Sequence, residues 1–250
     1  MSSPLHGRKA WVVGASSGIG AELARELVRR GAEVAISGRR AVQLEEVAGG
    51  TMTTIPLDIT EAQSVDDAAA AVRQGLGGLD TVVHSAGHWK QFNAAAWDRE
   101  SFARHVEVNL LGLNNVLAAV VPSFVADGRG HIVGVASVAG YRGLPGSEAY
   151  GATKAAQLNL LEAMRASLSP KGIRVTTVAP GFVRTEMTSE NEFPMPFIIE
   201  ANEAGRTIAD GLERGDENIV FPKRMAVAMV LARLVPGRLW TAATSRRARA

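Results

Sequence analysis

R-K-A-W-V-V-G-A-S-S-G-I-G, residues 8–20, is a short apolar run that stops at a glycine loop. The next segment, residues 19–30, is amphipathic, with Leu23, Leu27 and Val28 on one side, so the stretch reads as strand, loop and helix. Gly14, Gly18 and Gly20 give the spacing G-x-x-x-G-x-G. Without side chains at those positions the backbone can turn tightly and admit a pyrophosphate to the helix N-terminus, where free N–H groups favour an anion. Ser16 and Ser17 add hydroxyl donors. Glycine-rich turns are frequent; what gives this one meaning is its place between a β-like run and a helix.

The same alternation continues outward. Residues 32–37, 51–57, 80–84, 131–136, 173–178 and 218–221 are strand-like, and helical segments begin near Glu61 and cover 99–126 and 148–169. This predicts an α/β protein of the doubly wound Rossmann type, with a mostly parallel seven-stranded sheet and helices on both faces. At 250 residues, 46% of them hydrophobic and 21% charged, the chain suits one globular domain with one large core. The end of the second strand is where such a fold meets the adenosine ribose, and an acid there would bind the free 2′-hydroxyl of NAD. This chain has Gly38, Arg39 and Arg40 instead. The arginines either open the next helix as a solvated face or offer a guanidinium fork to a 2′-phosphate. The missing acid favours the phosphate, hence NADP(H), with NAD(H) as second choice.

Residues 137–154, S-V-A-G-Y-R-G-L-P-G-S-E-A-Y-G-A-T-K, hold a hydroxyl, a phenol and an ammonium. Tyr150 and Lys154 are one helical turn apart and share a face. A phenol ionises near pH ~10, and a neighbouring ammonium would bring its proton exchange toward neutrality. Ser137 follows a buried strand-like run, where an open α/β sheet presents ligand-facing residues, and its hydroxyl suits a substrate oxygen. Y-x-x-x-K alone is a common surface pair. The strand-end serine and the glycine loop set this one apart.

With these motifs the chain resembles the short-chain dehydrogenase/reductase family. The match runs from Lys9 to about Thr185 and takes in V-G-A-S-S-G-I-G, H-S-A-G, V-N-L-L-G, Ser137, Y-G-A-T-K and A-P-G-F-V-R-T in the family's order. The resemblance implies catalytic roles for Asn109, Ser137, Tyr150 and Lys154, in which Tyr150 exchanges a proton with a substrate oxygen held by Ser137 while hydride passes between nicotinamide and carbon. Lys154 would lower the phenol's pKa and bind ribose hydroxyls, and the Asn109 backbone carbonyl would hold a water near Lys154. Implied cofactor contacts are Gly14, Ser16, Ser17, Gly18, Ile19, Gly20, Arg39, Arg40, Asp58, Ile59, Ala86, Gly87, Lys154, Pro180, Gly181, Val183 and Thr185. Asp58 could equally cap the helix near Glu61. Asn109 could be a satisfied core amide, in a helix that Gly112, Asn114 and Asn115 weaken locally. H-S-A-G departs from the family's usual N-N-A-G at His84 and Ser85, so the support an Asn gives the central sheet is in question.

His84 and His88 straddle a strand end and a loop with no third ligand in view, so no metal site is expected. His88 and Trp89 read as lining the substrate side, and His6, His105 and His131 as surface or strand-edge residues. Residues 182–204, with Met187, Phe193, Met195, Phe197, Ile198 and Ile199 around Pro194 and Pro196, read as a long irregular lid over an apolar small-molecule substrate. About half of those apolar residues serve equally well as core packing.

The absence of cysteine excludes disulfides, thiolate catalysis and thiolate metal sites. The first residues lack the apolar core of a signal peptide, so a cytoplasmic setting is expected. A net charge of +2 gives no reason to expect a nucleic-acid partner. Residues 222–250, however, hold seven Lys or Arg and no acid, and read as a basic, apolar extension of a catalytic domain spanning 1–221. The apolar run 225–235 is too short to span a bilayer. Flanked by Lys223, Arg224, Arg238, Arg246, Arg247 and Arg249, it suits a membrane interface, the protein body or a partner subunit. A glycine-rich D-G-G segment, used for tetramer contacts by many family members, is missing, while the long helices around Asn109 and Tyr150 resemble those that pair in family dimers. Two rival readings are a catalytically idle NADP(H) sensor or partner-binding protein, which would not need all of Ser137, Tyr150 and Lys154, and a sugar-nucleotide epimerase. The glycine spacing and the lack of a sizeable C-terminal substrate domain argue against the epimerase.

Overall fold

The structure is a computed structural model and describes residues 3–189, 191 and 193–245. In chain order it forms β1 (Lys9–Val13), α1 (Gly18–Arg29), β2 (Glu33–Gly38), α2 (Ala41–Ala48), β3 (Thr53–Pro56), α3 (Ala62–Leu76), β4 (Thr81–His84) and α4 (Arg99–Val106). A π turn (Glu107–Leu111) joins α4 to α5 (Gly112–Asp127). Then follow β5 (Gly130–Val135), α6 (Glu148–Leu168), β6 (Ile173–Pro180), β7 (Val183–Arg184), α7 (Glu186–Ser189), β8 (Ile199–Glu200), α8 (Ala201–Arg214), β9 (Asn218–Phe221), α9 (Lys223–Leu234) and α10 (Gly237–Thr244). The seven-stranded sheet has the order β3-β2-β1-β4-β5-β6-β9, and all its pairings are parallel. The winding reverses between β1 and β4, which opens a crevice at the carboxyl ends of the strands.

Successive strand residues face opposite helical layers. Trp11 and Val13 of β1, with Val82, Ile132 and Val175, share a core with Val65 and Val72 of α3 and with Leu113, Val116 and Phe124 of α5. Val12, with Ile36, Val83, Val133 and Val178, packs instead on Leu23 and Leu27 of α1 and on Ile208 and Leu212 of α8. Covering both faces is what makes the strands continuously apolar in sequence. Each fully buried Val, Leu or Ile contributes about 1.5–3 kcal/mol, enough to fix which side each helix occupies. Arg99–Asp127 is long and apolar enough to cross a membrane, yet its α5 part supplies one of these core faces.

The structure departs from the sequence reading in several places. Residues 182–204 are not irregular throughout: β7 pairs with β8, α7 lies between them, and α8 begins at Ala201 because Ala204 and Ile208 are drawn into the core. β6 runs past Val178, since Ala179 and Pro180 pair with Val220 and Phe221, and the break falls at Gly181. His105 and His131 are buried, not peripheral. His105 Nε2 accepts from the Lys90 N–H and its Nδ1 lies 2.7 Å from the Ser101 carbonyl, while His131 Nε2 lies 2.9 Å from Thr176 Oγ1.

The C-terminal region packs on the body by one face. Met225 and Met229 of α9 join Val138 and Ala179, while Val227, Val230, Leu231 and Leu234 face outward. Arg142 donates to the carbonyls of Arg233 and Val235 and stacks over Trp240 of α10, a helix the sequence reading did not foresee. Arg246, Arg247 and Arg249 lie outside the described residues.

Candidate active site

At the end of β1 the chain turns through Gly14 with φ +87°, and a β-carbon there would collide with the Ala86 backbone. One at Gly20 would collide with the Gly14 carbonyl. The glycine loop, the start of α1 and the end of β4 are therefore packed backbone to backbone. The Gly14 and Ala15 N–H groups are held by the Ser37 carbonyl. No acid lies in the first turn of α1 and the Ser17 side chain does not cap it, so its free N–H groups and positive dipole end meet a cavity of about 500 Å³.

That cavity is lined by Gly14, Ser16, Ser17, Gly18, Ile19, Gly20, Arg39, Arg40, Asp58, Ile59, Ala86, Gly87, Ser137, Tyr150, Lys154, Pro180, Gly181, Val183 and Thr185. The expected residues thus converge, except Asn109, which is fully buried and not among the lining residues. The two arginines differ. Arg40 is the residue that caps α2, donates to Ser17 Oγ at 2.8 Å and pairs with Glu186 at 2.9 Å. Arg39 is exposed and, among the described residues, in no ion pair. Asp58 does not cap α3; its carboxylate accepts from the Thr60 N–H and hydroxyl. Burial opposes its charge, but those bonds, with Arg39 and Arg104 nearby, hold it below the usual carboxylate range. Asn115 of α5 donates to the Ile59 carbonyl and steadies that edge.

At the other end of the cavity α6 presents Tyr150 and Lys154 one turn apart, with Lys154 Nζ 5.6 Å from the phenol ring centroid. Nζ donates to the Val135 carbonyl and to Gln157 Oε1, both at 2.9 Å. Burial pushes Lys154 down to about 7. It pushes Tyr150 up to about 12, opposed by the Ser137 hydroxyl. The expected direction for the phenol is thus reversed, because its burial outweighs the Ser137 hydrogen bond. Ser137 Oγ also accepts from the Ala139 N–H at 3.1 Å and points toward the Pro180 carbonyl at 3.4 Å.

The helix distortion near Gly112 is the π turn, in which the Gly112 N–H reaches back to the Glu107 carbonyl. It places the Asn109 amide in the core, where Oδ1 accepts from the His88 N–H and Nδ2 donates to the His88 carbonyl and Thr153 Oγ1. Asn109 is therefore a satisfied core amide that ties the β4–α4 loop to α6. Its backbone carbonyl accepts from Gln157 Nε2. Sequence reasoning missed Gln157, although a glutamine one turn beyond Lys154 in A-A-Q-L is a visible polar interruption. His84 is buried with no hydrogen-bond partner for either ring nitrogen, so it gives the sheet no side-chain support. Burial and the Lys154 charge push it down to about 3.

The β4–α4 loop and the 182–200 segment meet over Tyr150. The Trp89 ring stands edge-on to Tyr150 with centroids 5.2 Å apart, approaches Phe193 at 6.4 Å, and its Nε1 donates to Asn191 Oδ1 at 2.9 Å. Phe182 continues the aromatic wall against Phe193. Among the described residues no group of His, Asp and Glu has the placement of a metal site.

A family profile described as short chain dehydrogenase matches residues 8–194. An uncharacterized oxidoreductase of Myxococcus xanthus is 41% identical over 245 residues, covering 96% of this chain and 97% of its own. A short chain dehydrogenase of Burkholderia cenocepacia, solved in complex with NADP, superposes with a TM-score of 0.84 at 28% identity, covering 96% of this chain and 98% of its own. A structure titled ribose-5-phosphate isomerase, from Brucella melitensis, superposes with a TM-score of 0.82 at 30% identity, covering 88% of this chain and 93% of its own. A shared fold does not by itself fix the reaction, which has to be argued from the site.

Proposed function

The chain belongs to the short-chain dehydrogenase family of NAD(P)-dependent oxidoreductases, and on that premise we propose that it is an NADP(H)-dependent carbonyl reductase acting on an apolar ketone or aldehyde. The observation that carries the reading is the meeting of Ser137, Tyr150 and Lys154 at one end of the cavity whose other end holds the glycine loop and Arg39. The cofactor fits this chain. Backbone packing at Gly14 and Gly20 leaves room for a pyrophosphate at the uncapped start of α1, and Arg39 is available to a 2′-phosphate. A bound nicotinamide supplies the hydride.

The residues of the chain do the rest. Ser137 orients the carbonyl oxygen, and Tyr150 holds a proton to donate as negative charge develops there. An alkoxide is a stronger base than a phenolate, so a phenol raised to about 12 still donates downhill. Lys154 lies beside the phenol and would bind the ribose hydroxyls of the cofactor, and Asn109 holds the loop that carries Gly87 and His88. Trp89, Phe182 and Phe193 make an aromatic wall for an apolar substrate.

In the same reading the protein is a homodimer joined through α5 and α6, with the exposed Leu111 in the contact. The outward face of α9, bordered by Lys223, Arg224, Arg233 and Arg238, makes peripheral contact with anionic lipid. The deciding experiment is a panel of ketones, aldehydes and secondary alcohols read by nicotinamide absorbance, with NADPH and NADH in parallel. Reduction of apolar carbonyls faster with NADPH is expected, and no turnover of any member despite tight NADPH binding would point instead to a cofactor sensor.

A further inference from the structure

Gln157 lies one turn beyond Lys154 on the same face of α6 and is 1% exposed. The two ends of its amide are committed in opposite directions: Oε1 accepts from Lys154 Nζ, and Nε2 donates to the Asn109 backbone carbonyl in the π turn. An ammonium can only donate and a carbonyl can only accept, so one amide orientation alone satisfies both neighbours. A hydrocarbon of the same length would satisfy neither. A carboxylate would satisfy the ammonium but turn an acceptor toward the carbonyl. The residue type is thus set by its two partners, one on the helix of Tyr150 and one on the helix of Asn109.

Resting on the oxidoreductase reading, we propose that Gln157 is a positioning residue that holds the Lys154 ammonium at the cavity and couples its protonation to the π turn. Burial works against the charge on Lys154, and the Val135 carbonyl and Gln157 Oε1 are the acceptors that stabilise it. The titratable groups facing Lys154 are Tyr150 on its own helix and His84 at the end of β4. His84 is neutral at physiological pH, so it adds no charge to compete with Gln157.

The test needs neither substrate nor turnover. The chain has lysines only at positions 9, 90, 154, 171 and 223, so Lys154 can be followed by NMR in whole protein labelled with ¹³C at lysine Cε and identified by its loss in Lys154→Met. Relative to the unmodified protein, Gln157→Met should lower the Lys154 pKa by about one unit, a tenfold loss of proton affinity from one missing acceptor. Gln157→Glu should raise it by at least as much, because a carboxylate then faces the ammonium. A residue that only fills space would move neither, or move both in one direction. Identical titrations in both variants, each folded by circular dichroism, would overturn the proposal. Should Gln157→Met fail to fold, Gln157→Asn keeps the amide but cannot reach both partners, and an unchanged Lys154 in it would be equally decisive. Because the readout is a proton on Lys154, failure of the oxidoreductase assignment and failure of this role are separate results.

Discussion

At the scale of single residues, Tyr150 and Arg39 separate the chemistry from the choice of cofactor. Tyr150→Phe removes one transferable proton and no volume that the cavity depends on. Turnover should fall by roughly 10²- to 10⁴-fold while NADPH binding, followed by its fluorescence, stays within about twofold. Near-normal turnover would assign the proton to another group. Arg39 is exposed and without an ion-pair partner among the described residues, whereas Arg40 is held by Ser17 and Glu186. A charge-assisted contact from Arg39 to a 2′-phosphate is worth about 1.5 to 3 kcal/mol before screening, or roughly a ten- to hundredfold preference for NADPH over NADH. Arg39→Ala should erase most of that preference and leave NADH affinity nearly unchanged. Raising the salt should shrink the preference in the unmodified protein. Equal affinities for the two cofactors at low salt would return Arg39 to the status of a solvated helix start.

Among the elements, legibility followed how local the determining physics is. The loop after β1 is specified by three glycines in seven residues, and the face shared by Tyr150 and Lys154 by helix geometry alone, so both could be read directly. The polarity around Lys154 could not, because Gln157 acquires its role only when α6 meets the π turn of a helix some fifty residues earlier. Nor could the inward turn of His105 and His131, whose rings are fixed by the preceding loop at Lys90 and by Thr176 of β6. Residues 182–204 read as irregular because their prolines conceal the short β7–β8 pairing, which depends on alignment in space and not on composition. α9 shows the same limit: its run reads as uniformly apolar, and only packing separates Met225 and Met229, which face the body, from Val227, Val230, Leu231 and Leu234, which do not. Truncating at Phe221 would therefore expose core, and point substitution is the cleaner probe. Leu231→Asp with Leu234→Asp should weaken binding to phosphatidylserine vesicles by tenfold or more without changing the circular dichroism, and salt should weaken binding of the unmodified protein, since each nearby cation adds about 1 kcal/mol. Equal vesicle binding by the substituted and unmodified proteins would leave α9 free for another partner.

For the whole molecule, the buried histidines set how it responds to acid. His84 and His131 are both pushed down to about 3, chiefly by burial, with Lys154 adding to the effect at His84 and Arg174 and Arg8 at His131. Partly buried His88 is pushed down to about 4, by burial first and then by His105 and Arg104. In the unfolded chain they would take up protons near pH ~6.5, so between that value and about 3 the unfolded state binds more protons than the folded one. Stability contributed by neutral burial is therefore fully present above ~6.5 and is lost as pH falls toward 3. The loss approaches about 1.4 kcal/mol per pH unit for each histidine. Lys154 acts in the other half of the range: with its pKa lowered to about 7, the unfolded state binds the extra proton between there and ~10, and below 7 it adds little slope. Carboxylates held below their usual range, such as Glu26 and Asp58, begin to matter only as pH drops under ~4.5. The window from 6 to 5 thus isolates the histidines. Urea unfolding should show stability falling by roughly 3 to 4 kcal/mol across it, with partly exposed His88 counting for less than the other two, a sizeable part of the ~5–15 kcal/mol typical of a domain. In His84→Asn, which removes one titrating ring and supplies an amide able to make hydrogen bonds, the slope across the same window should be smaller by about a third to a half, whatever the change in stability at pH 7. A flat profile from 6 to 5 in the unmodified protein would mean that water reaches these three rings and that none of the histidines is held neutral by the fold.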